Sequence, residues 1–285
     1  MQLVTYVGPG RRPTLGAVLG EGVVDLTARL DPAHGTMRGL LAGGPEALDR
    51  ARHVAATEGP DVLVGAITLL PPVPDPARIL CAGVNYEAHR VETGRDPTLR
   101  PTIFTRFPSS VVGHAAPLVK PHESDRFDFE GELAVVVGTT CRRVSVAAAL
   151  DHVAGYACFM DGSVRDYQRL TTQFTPGKNF DSSGSFGPWI TTADEIPDPQ
   201  ALRLQTVVDG EVLQDTTTDL MIHTVAELLA FCSTFTTLEP GDVIATGTPG
   251  GVGDRRDPPH YLHPGAVVEV AVTGVGRLVN TVVEG

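Results

Sequence analysis

The chain is short of positive charge: its 285 residues carry 22 Lys+Arg against 34 Asp+Glu, a formal net charge of −12. Binders of nucleic acid or of anionic membrane surfaces carry a basic footprint, so no nucleic-acid and no membrane partner is expected. An anionic small molecule is not excluded, because local charge outweighs the total at short range. No run approaches the eighteen or so apolar residues of a membrane helix. The N-terminus lacks a basic segment leading into an apolar core, so no secretory signal is expected. Cysteine is scarce, and the four present (Cys81, Cys141, Cys158, Cys232) show no CxxC or other metal-ligand spacing. Cys81, Cys141 and Cys158 lie in or beside apolar runs and read as small buried hydrophobes, as in a reduced, cytoplasmic protein. No serine sits in Gly-x-Ser-x-Gly, which removes a hydrolase-type serine nucleophile. The run Ala245-Thr-Gly-Thr-Pro-Gly-Gly-Val-Gly253 lacks the Gly-Lys-Ser/Thr ending of a phosphate loop and is interrupted by Pro249. It reads instead as a backbone-lined wall, with Thr248 available to bind a carboxylate.

Glycine (31) and proline (23) are plentiful, which points to many turns and a β-rich structure. Residues 1–70 read as a small N-terminal unit, with strands at 3–7, 14–19 and 23–25 and a helix near 45–57. Four prolines crowd the seven residues Leu70-Pro-Pro-Val-Pro-Asp-Pro76, so 71–76 reads as a linker. The remainder, 77–285, forms the larger domain. In it, strands are expected at 79–83 and 133–138, and an apolar run at 155–160 ends abruptly at Asp161. A short helix is expected over 85–94, and another is expected to be capped by Ser145 and to run to about 152. A capping box at Thr224-Val-Ala-Glu227 opens a helix to about 236. Pro-Gly turns at 239–242 and 263–266 each feed a strand. Many strands, few helices and no βαβ rhythm predict an α+β fold around a large mixed β-sheet.

The richest motif is Phe127-Asp-Phe-Glu130-Gly-Glu132-Leu-Ala-Val-Val-Val137. Strand side chains alternate faces, so Glu130 and Glu132 project together. Two like charges on a half-buried surface repel unless a cation neutralises them. Gly131 between them marks a place of close approach to the backbone. Oxygen ligands suit magnesium, calcium or manganese. The motif also reads as two exposed glutamates on a solvent-facing edge strand, and by itself it leaves both readings open. Asp161 is the candidate third ligand; a turn aspartate capping the helix that follows is the alternative. Arg165 and Gln168 share a helix face at i, i+3 and can bind a carboxylate, or simply face solvent. Lys178, in a turn, can meet a developing negative charge or be an exposed loop lysine. His89 and Glu92, also at i, i+3, form either a base with its orienting carboxylate or a surface pair.

The order of these motifs is more specific than any one of them. Gly83-Val-Asn-Tyr-x-x-His89, Phe129-Glu-Gly-Glu-Leu133, Asp161…Arg165-Asp-x-Gln168, Gly177-Lys-x-Phe-Asp181, Gly187-Pro-Trp189, Leu238-Glu-Pro-Gly-Asp-Val-Ile and Thr246-Gly-Thr-Pro249 together resemble the fumarylacetoacetate hydrolase family over residues 76–283. The resemblance implies a homodimeric enzyme whose catalytic domain is a mixed β-sheet folded on itself. It also implies one Mg²⁺ or Mn²⁺ held by Glu130, Glu132 and Asp161. Arg165, Gln168, Lys178 and Thr248 match positions that contact the pyruvate-like end of a diketo or oxo acid substrate, with Lys178 stabilising the enolate. His89 and Glu92 match the water-activating pair of the acylpyruvase branch. The expected reaction is C–C bond hydrolysis of a short acylpyruvate. Oxaloacetate decarboxylation, isomerisation of 2-hydroxy-diene diacids and a non-catalytic binding role are the alternatives. Three departures stand out. Met160-Asp-Gly-Ser-Val-Arg165 replaces a common Asn-Asp-Val-Ser-Ala-Arg. Arg106, in Thr102-Ile-Phe-Thr-Arg106, stands where many members have lysine, and a role in binding the distal group is expected for it. Ala266 replaces a usual aspartate in a turn.

Overall fold

The computed structural model describes residues 1–8 and 12–285. Near the N-terminus, short apolar runs give the strands Gln2–Val7, Pro13–Leu19 and Gly22–Asp25, paired antiparallel in succession. Gln2–Val7 also pairs with Gly184–Thr192, Leu3 standing opposite Ile190, so these strands extend a sheet of twelve. From that junction the sheet continues through Val153–Met160, Gly131–Val137, Val243–Ala245 and Ile79–Gly83 to Thr102–Arg106. Val243–Ala245 and Ile79–Gly83 run parallel and their neighbours antiparallel, which makes the sheet mixed. A second sheet, of five strands, has Arg203–Val208 and Val267–Val272 near its centre. The architecture is α+β, built on a large mixed β-sheet.

Gly131–Val137 is buried along its whole length. Leu133, Val135 and Val137 face the core shared with Leu204, Val268 and Val270 of the second sheet. Ala134 and Val136 face the opposite core, with Leu40 and Ala51 of the N-terminal helices. Burying each such large side chain stabilises the fold by about 1.5–3 kcal/mol. Gly131 stands on the first face, where a Cβ would lie 1.9 Å from Thr206 Oγ1. The close approach marked by this glycine is therefore that of the second sheet. Glu132, by alternation, points the other way.

The main helices are Gly44–Thr57, Glu87–Thr93 and Val225–Phe235. Thr224 forms the expected capping box with Glu227. Ser145 does not cap: the helix there is a single turn, Val146–Ala149, continued as a 3-10 turn through His152. The segment is closed instead through the backbone, Ala148 N–H donating to the Ser145 carbonyl at 3.2 Å. The Pro-Gly turns feed Val243–Ala245 and Val267–Val272 as the sequence predicts.

Candidate active site

Antiparallel register brings the acidic residues together. Phe127 pairs with Val164, Asp128 with Ser163 and Gly131 with Met160, one register continued across a gap. Inside the gap Glu130 lies opposite Asp161, whose N–H donates to the Glu130 carbonyl at 2.8 Å. Glu130 thus sits just before its strand rather than within it, while Glu132 is the strand's second residue. One carboxylate oxygen each from Glu130, Glu132 and Asp161 lies within 4.8 Å of the others, and all three residues are buried.

Three cations surround this cluster unequally. Lys178, the last residue of the one-turn helix Thr175–Lys178, is buried rather than loosely exposed. Its ammonium donates to Glu130 Oε2 (2.7 Å), Asp161 Oδ2 (2.6 Å) and Ser163 Oγ (2.6 Å), which uses all three N–H groups. Burial favours its neutral amine, but Asp161 and Glu130 outweigh that and hold its pKa above the ordinary lysine value. Arg165 Nη1 lies 2.6 Å from Glu130 Oε1, and its Nε donates to Asp128 Oδ2 at 2.7 Å. Its Nη2 is buried and has no hydrogen-bond acceptor, although Asp128 Oδ2 is 2.7 Å away. Gln168 Oε1 accepts from Arg165 Nη1 at 3.0 Å, so the predicted i, i+3 face is a real contact. Arg106 lies behind Asp161 and off the cavity wall. Its five N–H groups are filled by Ser110 Oγ and carbonyl, Asp161 Oδ1, the Gly162 carbonyl and Ser183 Oγ. None remains for a substrate.

Glu132 has no such partner. Its Oε2 accepts one backbone hydrogen bond, from Gly247 N at 2.8 Å. Burial, then Asp161 and Glu130, push its carboxyl well above the ordinary range. Burial would raise Glu130 as well, but Lys178 and Arg165 hold it well below that range. A buried carboxylate without a cation, completing a trio of hard oxygen donors, fits a divalent metal of the magnesium, calcium or manganese type.

A cavity of about 220 Å³ opens beside the cluster, walled by His89, Glu130, Arg165, Gln168, Lys178 and Thr248 among others. His89 is buried on the helix Glu87–Thr93, with Nδ1 2.7 Å from Glu92 Oε1. Glu92 Oε2 in turn accepts from Gly251 N at 2.9 Å, tying the helix to the 245–253 wall. Thr248 donates its hydroxyl proton to the Gly131 carbonyl (3.0 Å) and accepts from Gln214 Nε2 (2.9 Å). Several residues that set this geometry carry no role in the sequence reading. Asp128 anchors Arg165 and accepts from Gly253 N and Asp254 N. Ser163 is one of the three acceptors of Lys178. Gln214 links Gly131 to Thr248. Asn85 bridges the backbone of His223 and Thr246. For Asp128 a signal existed, since it continues the i, i+2 alternation of Glu130 and Glu132.

With this geometry established, known proteins give a consistent picture. The family model "Fumarylacetoacetate (FAA) hydrolase C-terminal" matches residues 78–283. The chain belongs to the fumarylacetoacetate hydrolase family. It is 38% identical over 288 aligned residues to the mitochondrial oxaloacetate tautomerase Fahd2a of Rattus norvegicus, covering 99% of this chain and 92% of that protein. A fumarylacetoacetate hydrolase from psychrophilic Exiguobacterium antarcticum superposes with a TM-score of 0.84 at 33% identity, covering 100% of both chains. Maleylpyruvate hydrolase from Sphingobium sp. SYK-6, solved with manganese(II) and pyruvate, does so at 0.84 and 29%, also covering 100% of both. Named members of this family are thus enzymes acting on small molecules, and their reactions differ.

Proposed function

We propose that the chain is a divalent-metal-dependent hydrolase that cleaves a C–C bond in a short acylpyruvate or related β-diketo acid, releasing pyruvate. The observation that carries this reading is one small cavity walled by His89 of a His–Glu pair and by Glu130 of a buried three-carboxylate cluster. Glu130, Glu132 and Asp161 would hold Mg²⁺, and Mn²⁺ or Ca²⁺ suits the same oxygen donors. The bound ion supplies Lewis-acid polarisation of an oxo-acid oxygen.

The chain's own groups supply the rest. His89 donates Nδ1–H to Glu92, which leaves Nε2 to take a proton from water. The resulting hydroxide adds to the carbonyl carbon distal to the carboxylate. The bond from that carbon to the methylene breaks, its electron pair passes into pyruvate enolate, and the proton on Nε2 returns to the methylene. Lys178, fixed and charged at the cavity wall, favours the developing oxyanion. Arg165, with Nη2 lacking an acceptor, and Gln168 take the substrate carboxylate. Thr248, its proton committed to Gly131, shapes the wall. Homodimeric assembly belongs to the same proposal and rests on the family resemblance. Cytoplasmic residence belongs to the same proposal; four free, buried cysteines fit a reducing compartment.

A second reading, keto–enol tautomerisation of oxaloacetate, is favoured by the 38% identity to oxaloacetate tautomerases. It would use His89 to move a proton with no water attack. The deciding experiment measures pyruvate release from acetylpyruvate and absorbance decay of enol-oxaloacetate, each with Mg²⁺ and with EDTA. Metal-dependent pyruvate release supports the hydrolase; acceleration of enol decay alone supports the tautomerase. Undiminished turnover in EDTA would remove the metal from either reaction.

A further inference from the structure

Pairing along the acidic strand changes character at Gly131. Val243–Ala245 pairs with this strand as far as Ala134, which stands opposite Ala245. The same register runs on past the end of Val243–Ala245: Thr246 N donates to the Leu133 carbonyl at 3.0 Å, and Gly247 N to Glu132 Oε2 at 2.8 Å. An antiparallel ladder bonds every second residue on one side, so Gly131 and Thr248 are due to pair next. Gly247 (φ 96°) turns the chain there, and side chains complete the ladder instead. Thr248 donates its hydroxyl proton to the Gly131 carbonyl at 3.0 Å, and Gly131 N donates to Gln214 Oε1 at 3.0 Å. Gln214 Nε2 closes the ring on Thr248 Oγ1 (2.9 Å) and gives its second N–H to the Pro249 carbonyl (2.9 Å). These partners fix which end of the amide is which, because a peptide N–H requires the oxygen and a carbonyl requires the nitrogen.

Gln214 reaches this ring from the second sheet. It lies on the edge strand Glu211–Thr217, opposite Thr206. It is buried and off the cavity wall. Thr206 fills the space that a Cβ on Gly131 would need, so these two neighbours together meet the peptide between Glu130 and Glu132. Gln214 also grips the 245–253 wall at Thr248 and Pro249, between Gly247 and Gly251, whose N–H groups hold Glu132 and Glu92. We infer that Gln214 is a positioning residue for the metal: from outside the cavity it fixes the peptide from which Glu130 and Glu132 project, and the wall that supplies the donor to Glu132. This rests on the proposed reading of Glu130, Glu132 and Asp161 as a metal centre. Groups that orient ligands without touching the ion change its affinity by about 10–100-fold when lost.

The test titrates Mn²⁺ calorimetrically into the full chain and its variants, each first checked for folding by circular dichroism. Gln214→Met removes every hydrogen bond of the amide at nearly constant volume. Gln214→Asn keeps the amide but withdraws it by one methylene. Asn280→Leu is the control: it removes another buried amide of the second sheet, one that donates to the Gly113 and Ala116 carbonyls. Both Gln214 variants should bind Mn²⁺ at least about tenfold more weakly than the parent, and the control within about twofold of it. Urea unfolding in EDTA, run on the same proteins, separates lost affinity from lost stability. A smaller loss of affinity in either folded Gln214 variant would make the ring merely structural and overturn the inference. So would an equal loss in Asn280→Leu, or Gln214 variants that do not fold. A parent that binds no Mn²⁺ would overturn the metal reading itself, and the inference with it.

Discussion

Arg106 offers five N–H groups, and the fold supplies five acceptors for them, one of which is Asp161 Oδ1 at 2.5 Å. The bond to the Gly162 carbonyl, at 2.9 Å, links it to a second departure from the family pattern. A Cβ on Gly162 would lie 1.8 Å from the Ser183 carbonyl oxygen, so the valine common at this position does not fit. Arg106 and Gly162 therefore act as a pair that fixes one carboxylate of the acidic cluster from behind. Lysine has three donors from one point and cannot reproduce the fork. Arg106→Met should destabilise the metal-free protein by about 3–5 kcal/mol, the cost of breaking a buried ion pair from one side. Urea unfolding in EDTA measures it, and a loss below about 1 kcal/mol would show that Lys178 alone suffices for Asp161. At this scale the sequence is informative where chemistry interrupts an apolar run, as at Glu130, Glu132 and Asp161. It is silent on Ser163 and Gln214, because their partners come from register and from distant strands.

Elements carry the pieces of chemistry that spacing alone defines. The helix Glu87–Thr93 holds His89 and Glu92 one turn apart and ends at Gly94 in the left-handed conformation (φ 65°). That much is readable from the sequence, as is the Thr224 capping box, because both depend on intervals of three residues. The anchor from Gly251 N to Glu92 Oε2 spans 159 residues and leaves no local trace. His89→Ala should lower kcat about 10²–10⁴-fold, the usual contribution of a general base. Mn²⁺ affinity, measured by calorimetry, should change less than twofold, because the metal candidates sit on other elements. A parallel loss of metal binding would place His89 in the ligand set instead.

For the whole molecule, the join between Gln2–Val7 and Gly184–Thr192 matters most. Leu3, Leu15, Leu40 and Ala51 share a core with Ala134, Val136 and Phe159, the last of these two residues before Asp161. A chain starting at residue 77 would expose those side chains and leave a strand edge open, a template for aggregation. We expect such a chain to aggregate or to sediment as large species, whereas the full chain stays dispersed in the same buffer. Recovery of a compact species with an intact Mn²⁺ site would show that residues 77–285 fold alone. The N-terminal strands are legible in the sequence as short strands, but only long-range pairing shows which neighbour they join.

The buried charges also have an arithmetic. Asp128, Glu130, Glu132 and Asp161 are four acids, and Arg106, Arg165 and Lys178 are three bases. With every group ionised the set is one negative charge in surplus, and a divalent ion turns that into one positive. In the bare protein the raised carboxyl of Glu132 leaves the set without net positive charge, so an oxo acid meets no attractive centre there until a divalent ion is loaded. Addition should therefore be ordered, metal first and acid second. Calorimetric titration of 2-oxobutanoate should show no heat of binding in EDTA and a clear isotherm in Mn²⁺, so the concentration of free metal in the surroundings would set how much of the protein is open to substrate at all.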